Sequence, residues 1–275
     1  MLDYLRLKIW ASLVHEIIHL PSRELERTIK ANFYHSKSNK PSPVLINFHG
    51  SGFIVPWHGT DDEFARRVVQ TTDYAVLDVA YRLAPENPFP AAIHDVEDVV
   101  KWAIANVQDF DTSRISVSGF SAGANLALVA STQLFTLGTF RHVLCFYPPT
   151  NLAKDHYTKA PPDTNGNPLP PWMLTVFTEC YASGLDWRDP RISPLNAAED
   201  SFQRNTLVIT CAYDNLCAEG EALVQKIRGA QGAEAVIYRR MEDCDHAWDK
   251  SYQPGSPQEK AKDEAYGLAM EVLRR

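Results

Sequence analysis

The run "RISVSGFSAGANLALVA" occupies residues 114–130, and its reading decides the architecture of the rest. An apolar strand-like segment ends at Ser118. Gly119-Phe120-Ser121-Ala122-Gly123 follows, and it opens the helical pattern "AGANLALVASTQLF". Strand, tight turn and helix form the setting in which Gly-x-Ser-x-Gly is a nucleophile elbow. The residues two before and two after the serine must be small because strand and helix nearly touch there, and both are glycine. Such a turn lifts Ser121 above a sheet edge at a helix N-terminus, where free N–H groups favour developing negative charge. The bland reading of the same residues is a Gly/Ser turn that only caps a helix.

Outward from the elbow the chain alternates. Strand-like runs fall at 28–34, 44–49, 74–81, 114–118, 142–147, 206–213 and 235–241, several dense in Val, Ile and Leu without alternation. Such runs suit strands covered on both faces. Helical patterns fall between them at 61–71, 91–106, 122–135, 218–230 and 257–274. This order predicts an α/β fold with a mainly parallel sheet and helices on both faces. Ligands of such sheets bind beyond the carboxyl ends of the strands. Residues 154–190 break the rhythm with many prolines and aromatics and one short helical pattern at 172–181. An irregular insertion there reads as a lid or binding element. At the N-terminus, Leu2, Leu5, Ile9, Leu13, Ile17 and Leu20 recur at three- and four-residue steps, which predicts an amphipathic helix packed on the body or over a pocket.

A serine hydroxyl needs a base, usually an oriented histidine. His246, in "MEDCDHAWD", lies just after the last predicted strand, on the same edge as Ser121. The other histidines read as surface or structural residues, apart from His49, which belongs to a glycine turn. Asp214 ends "TLVITCAYD" at a core strand and is favoured as the acid that orients the imidazole; Asp243, Asp245 and Asp249 read as solvated loop acids. In "VLINFHGSGF", residues 44–53, a strand stops at Gly50-Ser51-Gly52. Glycine lets backbone approach a ligand closely, so these amides, with that of Ala122, suit an oxyanion hole; a plain loop is the alternative. Trp57, Trp172, Phe177, Tyr181 and Trp187 lie in loop or insertion segments and are candidate pocket walls, with the interior of the cap as the competing role.

Composition narrows the field. The chain has 275 residues, 45% hydrophobic, a net charge of −7 and scattered basic residues. That suits one domain and argues against a nucleic-acid partner. The N-terminal segment is interrupted by Asp3, Arg6, Lys8, His15 and Glu16, so neither a signal peptide nor a membrane span is expected, and a cytoplasmic location follows. Five scattered cysteines do not form a disulfide framework. "CDH" at 244–246 has no second ligand cluster, so no metal and no cofactor is expected.

With these motifs in place, the sequence resembles the hormone-sensitive-lipase family of α/β-hydrolase esterases. "HGSGF" resembles its His-Gly-Gly-Gly motif, "YRLAPENPFPAAIHD" (81–95) its Tyr-Arg-Leu-Ala-Pro-Glu segment, and "GFSAG" its elbow. "DPRISPL" (189–195), "DNLCAEG" (214–220) and "DHAW" (245–248) follow in family order. The resemblance implies an α/β-hydrolase fold with Ser121 as nucleophile, Asp214 as acid and His246 as base. It implies oxyanion donors at Ser51, Gly52 and Ala122, and a cap built from residues 1–25 and 151–190 on a single catalytic domain. Ser51 departs from the family's middle glycine, and the arm before the first core strand is short, which implies a small cap. The expected activity is hydrolysis of a carboxylic ester, short-chain, aryl or of a specialised metabolite, through an acyl-enzyme. An amide or arylformamide hydrolase, a lyase or cyclase, and a non-catalytic binder are the alternatives on the same scaffold. The edge strand at 235–241 is the expected pairing surface of a homodimer.

Overall fold

The structure is a computed structural model that describes residues 15–38 and 40–275. Its centre is an eight-stranded sheet in the order β1-β2-β4-β3-β5-β6-β7-β8. The strands are β1 Glu16–Pro21, β2 Thr28–Tyr34, β3 Ser42–Phe48, β4 Ala75–Val79, β5 Phe110–Phe120, β6 Val143–Phe146, β7 Thr206–Cys211 and β8 Val236–Met241. β2 pairs antiparallel with both β1 and β4, and every pairing from β4 through β3, β5, β6 and β7 to β8 is parallel. The runs without alternation in the sequence are the strands buried along their whole length: β3, β4, β6 and β7. Both of their faces are covered, so both accept apolar residues.

The helices are α1 Asp62–Thr71, α2 Ala91–Ala105, α3 Ala122–Val129, α4 Pro171–Ala182, α5 Cys217–Gln231 and α6 Pro257–Leu273. On one face of the sheet, Phe64 and Val68 of α1 and Tyr266 and Met270 of α6 share an apolar cluster with β3, β4, β6 and β7 residues. On the other face, α2, α3 and α5 contribute Val96, Leu126, Leu223 and their neighbours to the larger cluster. α3 ends in a π-helical turn, Ala130–Leu134. Ser131 and Thr132 both donate side-chain hydrogen bonds to the Leu128 carbonyl there, a local competition that loosens a helix.

One expectation needs correction. Residues 16–21, read as the end of an N-terminal helix and as part of a cap, form strand β1 at the edge of the sheet. Ile17 pairs with Asn32 and Leu20 with Ile29. β1 buries Leu20 and leaves Ile17 55% exposed, so the three-residue spacing of these apolar side chains is not a helical stripe. The rest of that expectation, residues 1–14, lies outside the described residues.

The insertion at 151–190 holds a short 3-10 turn, His156–Thr158, and α4. α4 lies on the loop that follows β3. Tyr181 stacks on Phe53 with ring centroids 3.9 Å apart and planes 8° from parallel, and its carbonyl accepts from the Phe89 amide at 2.8 Å.

Candidate active site

The elbow is built from a steric demand. Ser121 sits at φ 49°, between β5 and α3, in a region that side chains rarely adopt. A Cβ on Gly119 would stand 2.2 Å from the backbone of Gly123, and one on Gly123 would stand 1.9 Å from the Phe48 carbonyl oxygen. Only glycine at both positions lets α3 start this close beneath β3 and β5. The Ser121 amide donates to the Phe146 carbonyl at 2.9 Å, and its carbonyl accepts from Ala124 and Asn125. The strained residue is thus fixed from both sides, while its hydroxyl meets a residue of another loop.

Two other loops bring their side chains to that hydroxyl. His246 Nε2 lies 2.8 Å from Ser121 Oγ, and His246 Nδ1 lies 2.7 Å from Asp214 Oδ2. A carboxylate accepts, so Nδ1–H is the donor and Nε2 presents its lone pair to the serine hydroxyl. Asp214 Oδ1 accepts from the Leu216 amide at 3.0 Å, and the side chain is 1% exposed. The loops after β7 and β8 are tied together: Ala212 N donates to Met241 O and Tyr213 N to Cys244 O. The Tyr147 ring and the imidazole meet in a T-shaped arrangement at a centroid distance of 4.8 Å. The three residues are 125 and 32 positions apart in the chain, and the parallel strands deliver all of them to one rim.

The turn after β3 closes on itself through side chains. The Tyr81 hydroxyl donates to the His49 carbonyl at 2.7 Å. Its hydrogen is therefore committed, and the 2.7 Å contact between Ser51 Oγ and Tyr81 Oη must run from serine to tyrosine. Ser51 Oγ in turn accepts from the Phe53 amide at 2.9 Å. Ser51 therefore turns its hydroxyl into the protein. Gly52 (φ 53°) and Phe53 (φ 66°) are both left-handed, and a Cβ on Gly52 would fall 2.6 Å from the Phe177 ring. Among the described residues the amides of Ser51 and Gly52 donate to no protein acceptor. Ala122 is the first residue of α3, a position whose amide has no partner within a helix.

These groups open on a mostly apolar cavity of about 170 Å³. Its wall includes Gly50, Ser51, Gly52, Ser121, Ala122 and His246, together with Trp57 and Phe177. Three of the pocket candidates stand elsewhere. Tyr181 is 1% exposed and packs in the core against Phe53. Trp187 donates to the Ala182 carbonyl and borders a separate shallow hollow. Trp172 is 57% exposed on the outer side of α4. Sequence spacing along one helix does not say which face meets the cavity, and here it is the face of Met173, Leu174, Phe177 and Thr178.

Polar residues that the sequence did not single out also reach this wall: Lys250, Lys159 and His156. Lys250 Nζ lies 2.7 Å from Asp61 Oδ1, 2.9 Å from Asp249 Oδ2 and 3.6 Å above the Phe120 ring. Burial pulls this ammonium down, Asp249 and Asp61 outweigh it, and Lys250 ends above its ordinary value. Asp249 is 3% exposed and accepts from the hydroxyls of Tyr147 and Tyr266, so it is not the solvated loop acid expected from the sequence. Burial, reinforced by Asp61, pushes neighbouring Asp78 up to about 7. Lys159 makes a buried 2.6 Å ion pair with Glu219, which also accepts from the Thr150 and Asn151 amides. The insertion is thereby fastened to α5 and to the loop after β6.

The profile of the alpha/beta hydrolase fold family matches residues 45–250, a span from β3 past His246. The chain belongs to the alpha/beta hydrolase fold family, on its hormone-sensitive-lipase-like side. Among its relatives, carboxylic ester hydrolase LipN of Mycobacterium tuberculosis is 31% identical over 82% of this chain and 62% of LipN. The chain spans about three fifths of the length of the curated relatives it matches first, 62%, 60% and 58%. The hyperthermophilic esterase of Pyrobaculum calidifontis superposes with a TM-score of 0.82 at 27% identity, over 99% of this chain and 90% of that one. EstE1, a thermostable carboxylesterase from a metagenomic library, does so with 0.79 at 26%, over 99% and 95%. All three carry esterase names, and the two solved structures share this chain's fold.

Proposed function

We propose that this alpha/beta hydrolase is a serine carboxylic-ester hydrolase acting on small esters. Ser121 Oγ attacks the ester carbonyl while His246 Nε2 takes its proton. Asp214 holds the Nδ1–H tautomer and stabilises the imidazolium that forms. The carbonyl oxygen becomes an oxyanion facing the amides of Ser51, Gly52 and Ala122. Collapse expels the alcohol, protonated by His246, and leaves an acyl-serine. Water, deprotonated by the same imidazole, attacks the acyl carbon, and Ser121 leaves with the returned proton. The observation that carries this reading is the unbroken chain from Ser121 Oγ through the imidazole to Asp214, with contacts of 2.8 and 2.7 Å at the mouth of an apolar cavity. Support also comes from the esterase names of the relatives.

Residues 151–190 act as the cap, with α4 over the glycine turn. The cavity favours substrates with a short or compact apolar group. The free cysteines at 145, 180, 211, 217 and 244 fit a reducing, cytoplasmic setting. Among the described residues no helix is long and apolar enough to cross a membrane. The outer edge of β8 is the surface on which a second copy pairs, a point that sedimentation of the purified protein decides. Ser121→Ala is the direct test of the chemistry. It should abolish turnover of a short p-nitrophenyl ester while the circular dichroism spectrum is unchanged; full turnover in that variant rules the mechanism out.

A further inference from the structure

Gly52 and Phe53 sit side by side in the left-handed region, at φ 53° and 66°. Glycine bears this conformation freely. Phe53 does not, and such a backbone persists only where its surroundings over-determine it. Ser51 supplies part of that constraint: its Oγ accepts from the Phe53 amide, and its carbonyl accepts from the Ile54 and Val55 amides. The Phe53 carbonyl accepts from the Ala84 amide at 2.9 Å. α4 holds the same two residues through its side chains. A Cβ on Gly52 would have the Phe177 ring as its nearest neighbour, with Cδ2 and Cε2 at 2.6 Å and Cγ at 2.8 Å. Real Cβ atoms do not come so close, so the ring fills the place where any other residue would put its side chain. Position 52 must therefore be glycine to admit a ring of the cap, and not only to let a ligand approach.

One helical turn further along α4, Tyr181 stacks flat on Phe53, centroids 3.9 Å apart and planes 8° from parallel. Tyr181 and Phe53 are 1% and 4% exposed, so this stack is a fixed piece of the core. α4 is itself fastened. The Tyr181 carbonyl accepts from the Phe89 amide at 2.8 Å, the Ala182 carbonyl accepts from Trp187 Nε1 at 2.9 Å, and His156 Nε2 lies 3.0 Å from Thr178 Oγ1. Oxyanion donors are worth most when nothing has to move as the charge develops. We propose that Phe177 and Tyr181 are positioning residues for the oxyanion hole: they pin Gly52 and Phe53 in the left-handed turn and so aim the amides of Ser51 and Gly52. This rests on the ester-hydrolase reading above and adds the cap helix to the machinery of the same reaction.

The test uses p-nitrophenyl acetate, butanoate and hexanoate, with methyl trifluoromethyl ketone as a mimic of the transition state. Ser121 Oγ adds to the ketone carbon, its proton passes to His246, and the carbonyl oxygen becomes an oxyanion in the hole. Tyr181→Leu removes the stack on Phe53 without changing a residue of the cavity wall, and Phe177→Ala removes the ring that sits on Gly52. Each should lower kcat and kcat/KM on all three esters by a common factor of about 5- to 50-fold, with KM within about threefold of wild type; a donor lost outright costs on the order of 10²–10³. The inhibition constant of the ketone should rise by the same factor, because its adduct and the transition state need the same amides. A change in the wall alone would reorder the three esters and leave the acetate untouched. That result overturns the inference, as does a kcat on the acetate within twofold of wild type in either variant that folds. Both outcomes leave ester hydrolysis standing. No turnover of any of the three esters by the wild-type enzyme, with no fluorophosphonate adduct on Ser121, overturns the ester-hydrolase reading and this inference with it.

Discussion

Removing the Ser51 hydroxyl should weaken both the fold and the chemistry, by amounts that can be set from its contacts. Ser51, Tyr81, Phe53 and His49 are all nearly fully buried, at 3%, 3%, 4% and 1% exposure. Ser51→Ala leaves the Phe53 amide without its acceptor and takes one donor from Tyr81 Oη. A buried donor left unsatisfied costs about 1–3 kcal/mol, and roughly 2 kcal/mol lowers Tm by about 4–8 °C in a chain of this size. The effect on rate is separate. Gly52 and Phe53 sit at φ 53° and 66°, a geometry that persists only where surrounding bonds over-determine it. The Ser51–Tyr81–His49 chain supplies that constraint for Ser51 and Gly52, two of the three amides proposed to hold the oxyanion. Losing one oxyanion donor outright costs on the order of 10²–10³ in kcat, so a loosened loop should cost about tenfold, mostly in kcat. Steady-state kinetics on a short p-nitrophenyl ester, with a thermal melt, give both numbers. Tyr81→Phe should reproduce the kcat loss, and the double variant should fall short of the summed effects because the two side chains act as one unit. Ser51→Ala and Tyr81→Phe enzymes with kcat within twofold of wild type would refute the reasoning.

Two further outcomes follow from the structure. Gly123→Ala should yield no folded protein, because its Cβ would meet the Phe48 backbone at 1.9 Å, whereas Gly229→Ala, in the last turn of α5 with open space around it, should raise Tm by a few degrees; equal solubility and melting of the two would contradict the packing at the elbow. His142 is held at about 4, by burial and then by Arg141, and both its ring nitrogens lack partners among the described residues. Its unfolded form binds a proton between about pH 6.5 and 4 and its folded form does not, so acidification through that window destabilises the fold. His142→Phe should therefore flatten the fall of Tm on acidification, and an unchanged slope would be evidence against the assignment.

The sheet was legible because its central strands are apolar along their whole length, and the elbow because its glycines sit where sterics demand them. The partners of Ser121 were legible from strand ends, since a parallel sheet collects those ends on one rim. β1 misled because Ile17 and Leu20 imitate a helical step, and strand pairing with β2 overrides that local pattern. Asp249 looked solvent-facing because its tyrosine partners are 102 and 17 residues away, a distance that no local pattern encodes. Tyr181 and Trp187 looked like pocket walls, yet an aromatic side chain in a covering segment must also anchor that segment, and these two do. His156 and Thr178 carried no signal, because their contact exists only once α4 has docked.

The central claim is that Ser121 is an activated nucleophile, and the most direct measurement is mass spectrometry of the protein after exposure to a fluorophosphonate. The expected result is a single adduct on the Ser121 peptide, formed rapidly in the wild-type enzyme and at least a hundredfold more slowly in His246→Ala. An unmodified Ser121, or a rate indifferent to His246, would contradict it.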